Sequence, residues 1–231
     1  MGGGLGAKPL YSKRDYMKIF FFLFSIILFV TSAESQIIKS YGLKLGVTSA
    51  NQNWDYSINS GFSNASFDSD YRIGLNVGLF AEFLNLPFIS VVAEANYFQK
   101  GMKDQIPETT TAQPDGTGKF ITWDTRVDYI NISAFGKFRF DLGILSPYVL
   151  LGPKIDFELN KKNSLGPVNE VEENFKKNRF GFKLGAGSEI DLGSIHLLAE
   201  LLYEIDTNEL YKSDNLKVKS NSFDLRVGIF F

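Results

Sequence analysis

Apolar and polar residues alternate one for one through eight stretches of this chain, and the last of them is the plainest. Phe223, Leu225, Val227, Ile229 and the terminal Phe231 share one parity, with Ser222, Asp224, Arg226 and Gly228 on the other. Successive side chains of a strand point to opposite faces, so this rhythm predicts a strand with one apolar and one polar face. The same reading applies upstream. Leu43, Leu45 and Val47 oppose Gly42, Lys44 and Gly46 in the first stretch, around Tyr41 to Thr48. In the second, Tyr71, Ile73, Leu75, Val77, Leu79, Ala81 and Phe83 oppose Gly74, Asn76, Gly78 and Glu82. Ile89, Val91, Ala93, Ala95 and Tyr97 then oppose Ser90, Glu94 and Asn96. The fourth sets Ile130, Ile132, Ala134, Phe138 and Phe140 against Asn131, Ser133, Lys137 and Arg139. The fifth sets Val149, Leu151, Ile155, Phe157 and Leu159 against Lys154, Asp156 and Glu158. Phe180, Phe182, Leu184, Ala186 and Ile190 face away from Lys183, Gly185, Gly187 and Glu189 in the sixth. In the seventh, Ile195, Leu197, Ala199, Leu201 and Tyr203 face away from His196, Glu200 and Glu204.

The connections alternate in length. Leu84 to Pro87, Asp141 to Pro147 and Asp191 to Ser194 are short; Asp55 to Asp70, Asp104 to Thr122, Asn160 to Asn178 and Thr207 to Lys217 are long. Short periplasmic turns alternating with long external loops are the arrangement of bacterial transmembrane barrels, and eight strands return both termini to the periplasmic side.

The only continuously apolar run is Ile19 to Val30, about a dozen residues against the roughly 20 of a spanning helix. Lys13, Arg14 and Lys18 precede it, and Ala33 and Ser35 occupy the −3 and −1 positions of a small-residue cleavage site. It therefore reads as the core of a secretory signal peptide, with Gln36 as mature N-terminus. Residues 1–16 are an upstream extension and Met17 the natural start, so residues 1–35 form extension plus leader and 36–231 one domain. The chain has no cysteine, which excludes an acylated lipoprotein anchor, disulfides and thiolate metal sites. Removing the leader leaves 20 basic and 24 acidic residues with no basic, aromatic-interleaved cluster, so no nucleic-acid partner is expected. The Gly-rich start lacks the Lys-Ser/Thr of a phosphate loop.

Alternation alone does not say which face is inside, and a soluble lipocalin-like ligand-binding barrel would place the apolar face inward. The leader, the terminal Phe231, the glycine-dotted polar face and aromatic rims favour the membrane. Phe83, Phe140 and Phe231 would form the periplasmic girdle, and Tyr71, Tyr97, Phe157, Phe180 and Tyr203 the external one. An Arg or Lys facing mid-bilayer costs about 2–4 kcal/mol. Lys44, Glu82, Glu94, Lys137, Arg139, Lys154 and Asp156 must therefore point inward. The same holds for Glu158, Lys183, Glu189, Glu200, Glu204, Asp224 and Arg226. An eight-stranded barrel is just wide enough inside for side chains, so mixed-sign pairs would fill the lumen, which argues against a small-solute pore. The expected architecture is all-β: an eight-stranded antiparallel up-and-down transmembrane barrel in the outer membrane.

Candidate chemistry is sparse. His196 is the only histidine, which rules out a multi-histidine metal site. Its place beside a short turn, with Ser194 too near in sequence to be a partner, favours a structural role over a Ser-His-Asp one. Glu200 and Glu204 on one strand, with Glu189 next door, could form an acid–base pair, but buried charges must be paired, and Lys183, Lys137, Arg139 or Arg226 are the expected partners. The acids Asp68 and Asp70 around Ser69, and Glu170, Glu172 and Glu173, lack the glycine and spacing of a calcium loop. Asn64-Ala-Ser66 and Asn131-Ile-Ser133 match the glycosylation triplet, which is common by chance. No catalytic, cofactor-binding or metal-binding residue is assigned.

Two stretches carry a family resemblance: Tyr129-Ile-Asn-Ile-Ser133 with Lys137-Phe-Arg-Phe140, and Pro147-Tyr-Val-Leu-Leu-Gly-Pro153. They resemble the core of the PorT-like outer-membrane β-barrel domain family, although Ser133 stands where that family usually has proline. Gly42, Gly46 and the Arg226-Val-Gly-Ile-Phe-Phe231 end also fit, so the resemblance spans the mature chain. It implies an outer-membrane barrel recognised through Phe231 by the barrel-assembly machinery, and it brings no catalytic residues. The expectation is a monomeric, non-enzymatic barrel set in outer-membrane lipid, whose external loops meet an envelope or extracellular protein. The alternative is a lipid-modifying barrel enzyme.

Overall fold

Alternating stretches become strands because each strand buries its polar face in the lumen and satisfies its backbone on both neighbours. The computed structural model describes residues 38–56, 65–84, 86–108, 111, 113–114, 116–164 and 174–231. The leader, the cleavage site and Gln36 lie outside these residues, as do Asn64, Glu170, Glu172 and Glu173. Among the described residues the strands are β1 (Ile38–Tyr56), β2 (Ala65–Asp68), β3 (Arg72–Phe83), β4 (Ile89–Pro107) and β5 (Phe120–Arg139). They continue with β6 (Leu145–Asn163), β7 (Asn178–Asp191), β8 (His196–Asp206), β9 (Tyr211–Lys212) and β10 (Leu216–Phe230).

Eight long strands pair antiparallel in the order β1-β3-β4-β5-β6-β7-β8-β10, and β10 pairs back onto β1. That last ladder runs without a break from Gly42 opposite Phe230 to Tyr56 opposite Leu216. Past it, Tyr41 N–H donates to Phe231 O at 3.1 Å and Phe231 N–H donates to Tyr41 O at 2.9 Å. The sheet therefore has no free edge through the membrane, where each unsatisfied backbone group costs several kcal/mol. The short strands extend their neighbours: β2 pairs with the outer end of β1, and β9 with the outer end of β10.

The two faces are assigned as the charge argument requires. Leu45, Leu79, Leu151, Leu184, Leu201 and Val227 are 53–59% exposed on the outer wall, whereas Lys44, Lys183, Asp224 and Arg226 are buried inside. Gly46 makes room for this interior, since a β-carbon there would lie 2.1 Å from Leu225 O and 2.8 Å from Arg226 Cα. Two of the tight turns share the sequence Asp-Leu-Gly. Gly143 and Gly193 sit at φ +89° and +82°, and each donates its N–H to Asp141 or Asp191 Oδ1, at 3.0 and 2.8 Å. Glycine tolerates this left-handed geometry without steric cost.

At the external end the strands run further than their alternation suggests. β1 continues to Tyr56, β4 to Pro107 and β6 to Asn163, and β2 and β9 fall inside segments expected to be loops. The physical reason is a change of phase. On β1 the apolar parity passes from outward Leu43, Leu45 and Val47 to inward Ala50 and Trp54; on β10 it passes from outward Phe223 and Leu225 to inward Val218 and Leu216. Trp54, Met102, Phe175, Leu210, Leu216 and Val218 pack together inside this collar, with Trp123 and Tyr211 against them.

Candidate functional site

The lumen is the most chemically dense region, and its layers follow from strand register. Nearest the short turns, Lys137 bridges Glu82 at 2.6 Å and Glu189, while Arg139 reaches Glu189 at 3.2 Å. The next layer centres on Arg226. Its two terminal nitrogens grip Glu94 at 2.8 and 3.2 Å, and Nη2 also holds Glu200. Lys44 bonds both carboxylates, at 2.8 Å to Glu200, and the Tyr148 hydroxyl donates to Glu200 at 2.7 Å. Further out, Lys154 lies 2.8 Å from Asp156, 2.9 Å from Glu204 and 2.7 Å from Asp206. Lys100 bonds Asp156 and Glu204; Lys183 lies 2.6 Å from Glu204. Thr48 donates to Asp224 at 2.6 Å.

Expected acid–base candidates thus resolve into ion pairs. Glu189 takes Lys137 and Arg139; Glu200 takes Lys44 and Arg226; Glu204 takes Lys100, Lys154 and Lys183. Of the fourteen charges expected inside, Arg139 and Glu158 are only half-buried and the rest are buried. Lys100 and Arg179 are 1% exposed in the same lumen and were not among those fourteen. Parity was the available signal: Lys100 falls in step with Glu94 and Asn96, and Arg179 with Lys183.

The lumen is not purely ionic either. Phe80, Val92, Phe135, Tyr148, Leu150, Leu198 and Leu202 form an apolar cluster among the charges. Lys44 lies 4.4 Å over the Phe80 ring and Lys137 4.5 Å over Tyr148, so the aromatic faces contribute cation–π attraction. These residues share parity with the charged ones, which hid them behind the polar pattern.

His196 sits at the short-turn rim, its Nδ1 3.4 Å from Asp191 Oδ1 and its ring 5.3 Å from that of Phe230. It packs the closing seam, opposite Phe230 in the ladder. Asn131 is fully buried and donates to Asp156, which closes it to glycosylation. Asp68 accepts from Asn53, and Ser69 exchanges bonds with the Gln52 backbone at 2.9 and 3.0 Å. Among the described residues no group of three or more His, Asp and Glu could hold a metal ion.

Of the eight aromatic residues expected at the two rims, Phe83, Tyr97 and Tyr203 are half-buried and the other five are exposed. Phe140 and Phe231 are exposed at the short-turn end, where Phe231 packs 6.1 Å from Tyr41. Tyr71, Phe157 and Phe180 are exposed at the other end, with Tyr203 4.7 Å from Phe223. A closed antiparallel barrel with an apolar outer belt, aromatic girdles and a charged, packed interior is an integral outer-membrane protein. Residues 35–225 match the outer membrane protein beta-barrel domain family, and the chain belongs to it. The finer PorT-like resemblance is not part of that match.

Among solved structures the chain is similar to Ail, the attachment invasion locus protein of Yersinia pestis, in complex with the heparin analogue sucrose octasulfate. Identity is 17%, covering 83% of this chain and 98% of that one, with a TM-score of 0.39. Neisserial surface protein A is 13% identical over 81% of this chain and 95% of its own, with a TM-score of 0.42. The outer membrane protease OmpT of Escherichia coli is 9% identical over 87% and 99%, with a TM-score of 0.41. No curated protein matches the chain.

Proposed function

We propose that this barrel is a non-enzymatic, monomeric scaffold that presents its external hairpins to an envelope or extracellular protein, and that it is of the PorT-like kind. One observation carries the reading. The β4–β5 hairpin stays paired out to Pro107 opposite Phe120, whereas the β5–β6 ladder ends at Thr125 opposite Asn163. Among the described residues this ladder therefore runs further out than its neighbour's, and the outer end of its stem shows Phe120 at 64% and Ile121 at 37% exposure. Apolar side chains held up on a paired stem suit protein contact, because their burial against a partner is favourable and little ordering remains to be done. Inside, Glu82, Glu94, Glu189, Glu200 and Glu204 are each paired with a lysine or arginine.

A photo-crosslinkable residue at position 120 in intact cells tests this. Recovery of a discrete protein adduct, lost in Ile121→Asp, is the expected result; labelling of lipid alone overturns it. For the enzymatic alternative, His196→Ala should leave envelope lipid composition unchanged, and an altered composition in a folded variant would establish catalysis instead.

A further inference from the structure

On the outer wall, at the external end of β1, β2 and β10, a groove of about 760 Å³ opens sideways. Its size falls within the roughly 300–1,000 Å³ of small-molecule sites. Its floor is built by register: Asn51 lies opposite Asn221, and Asn53 lies between Lys219 and Asp68. On β1, Asn51 and Asn53 share the parity of Leu45 and Val47, and on β10, Lys219 and Asn221 share that of Phe223. The groove therefore faces away from the lumen, directly above the lipid-facing belt. From Val47 to Asn51 is four residues, a rise of about 13 Å along a tilted strand. The groove thus begins just above outward Ile73 and Phe223, which both lie opposite Ser49.

The chemistry of the lining is specific. Three amides offer donors and acceptors together, Asp55, Asp68 and Asp70 offer acceptors, and exposed Tyr71 offers an aromatic face at the lower lip. Asn51 Oδ1, on a residue that lines the groove, is shielded from solvent and has no hydrogen-bond partner within the protein. Against three carboxylates the groove sets one cation, Lys219. A phosphate would meet net repulsion there, whereas hydroxyl groups would find both donors and acceptors.

We propose that this groove binds the uncharged sugar headgroup of an outer-leaflet glycolipid. The amides and carboxylates pair with sugar hydroxyls, while the acyl chains lie on the apolar wall formed by Val47, Ile73 and Phe223. The lipid source follows from the groove's position, since a ligand held there and in the belt at once gains the second contact without a second loss of translational freedom. The inference does not depend on the protein-contact reading of the β4–β5 hairpin.

The test uses the full chain in phospholipid nanodiscs, titrated with digalactosyldiacylglycerol, whose headgroup is an uncharged sugar, and read by native mass spectrometry. Retained glycolipid adducts are expected, and the triple variant N51L/N53L/N221L should lower retention about tenfold or more, from three lost hydrogen-bonding groups. Gln105→Leu, the same chemical change on exposed β4 outside the groove, should retain the adduct. Heat-modifiable migration establishes that each variant is folded. Undiminished retention by the triple variant, equal retention of sugar-free phosphatidylglycerol, or equally tight binding of the delipidated free oligosaccharide would each overturn the proposal.

Discussion

Along β1 and β10 the membrane belt and the external collar share one unbroken register, yet their chemistry is reversed. In the belt, β1 sends Leu43, Leu45 and Val47 out and Lys44 in; in the collar it sends Asn53 and Asp55 out and Trp54 in. β10 repeats this, with Val227 out and Arg226 in below, then Lys217 and Lys219 out and Val218 in above. On β4, inward Glu94 gives way to inward Met102. No strand slips by a residue along the β1–β10 ladder, so the inversion is in the residues and not in the backbone. The medium outside sets the rule: where lipid surrounds the wall, charges are cheaper within, and where water surrounds it, a hydrophobic core is favoured.

The belt depends first on closure, and the largest effect is expected at its seam. Deleting Phe230 and Phe231 removes the reciprocal Tyr41–Phe231 backbone bonds and the last rung at Gly42. Most of the folded, membrane-inserted fraction should be lost, as read by heat-modifiable migration, whereas deleting Gln113 and Pro114 between β4 and β5 should leave it intact. Equal insertion of the two variants would count against the terminal strand as the closing one.

Next comes the interior. Arg226 is fully buried and is shared by Glu94 and Glu200. Arg226→Ala leaves Lys44 as the one cation bonded to the two carboxylates, beside Tyr148 on Glu200 and Asn96 on Glu94, and breaking a buried pair in this way costs about 3–5 kcal/mol. The collar counterpart, Met102→Ala, removes a fully buried side chain from an apolar cluster, at about 2–5 kcal/mol. Urea titrations in vesicles separate the two by mechanism: the neutral replacement of the whole Arg226, Glu94 and Glu200 set by apolar residues should recover much of the first loss. Failure of that recovery would mean that the belt interior needs its charges for more than mutual compensation.

How much of this the sequence shows depends on the region. In the belt, the outward apolar residues, the inward charges and the turns of the barrel were legible, because lipid and lumen impose a strict alternation. Lys100 and Arg179 were missed since each sits just past the point where the outward apolar residues stop. For the same reason the outer ends of β4 and β6, and all of β2 and β9, fall in segments that the sequence presents as loops. When the apolar parity passes from Val47 to Ala50 and Trp54, a period-two pattern changes phase, and a change of phase looks like the loss of the pattern. The pairings inside the lumen were legible only as a class: the sequence says that Glu204 needs a cation, but the barrel's stagger decides that Lys100, Lys154 and Lys183 supply it. The groove was hidden altogether, because Asn51, Asn53 and Asn221 come together only when β1 and β10 close the sheet.

The sharpest test of the two-solvent rule places one charge at two heights on a single strand face. Leu45 is 55% exposed in the middle of the β1 belt, opposite Val227 on one side and Val77 on the other. Asp55 lies on the same face ten residues further out, opposite Lys217. Leu45→Arg should lower stability by about 2–4 kcal/mol, the cost of a cation on the lipid face at mid-bilayer. Asp55→Arg should change it by no more than about 0.5 kcal/mol, the usual range for a substitution in water. Its small residual effect should weaken with added salt, because the new charge faces Lys217 through solvent that screens it. The Leu45→Arg loss should be indifferent to salt, since lipid holds no counterions. Similar losses for the two variants, or a salt-sensitive loss at Leu45, would place both positions in the same medium and dissolve the distinction between belt and collar.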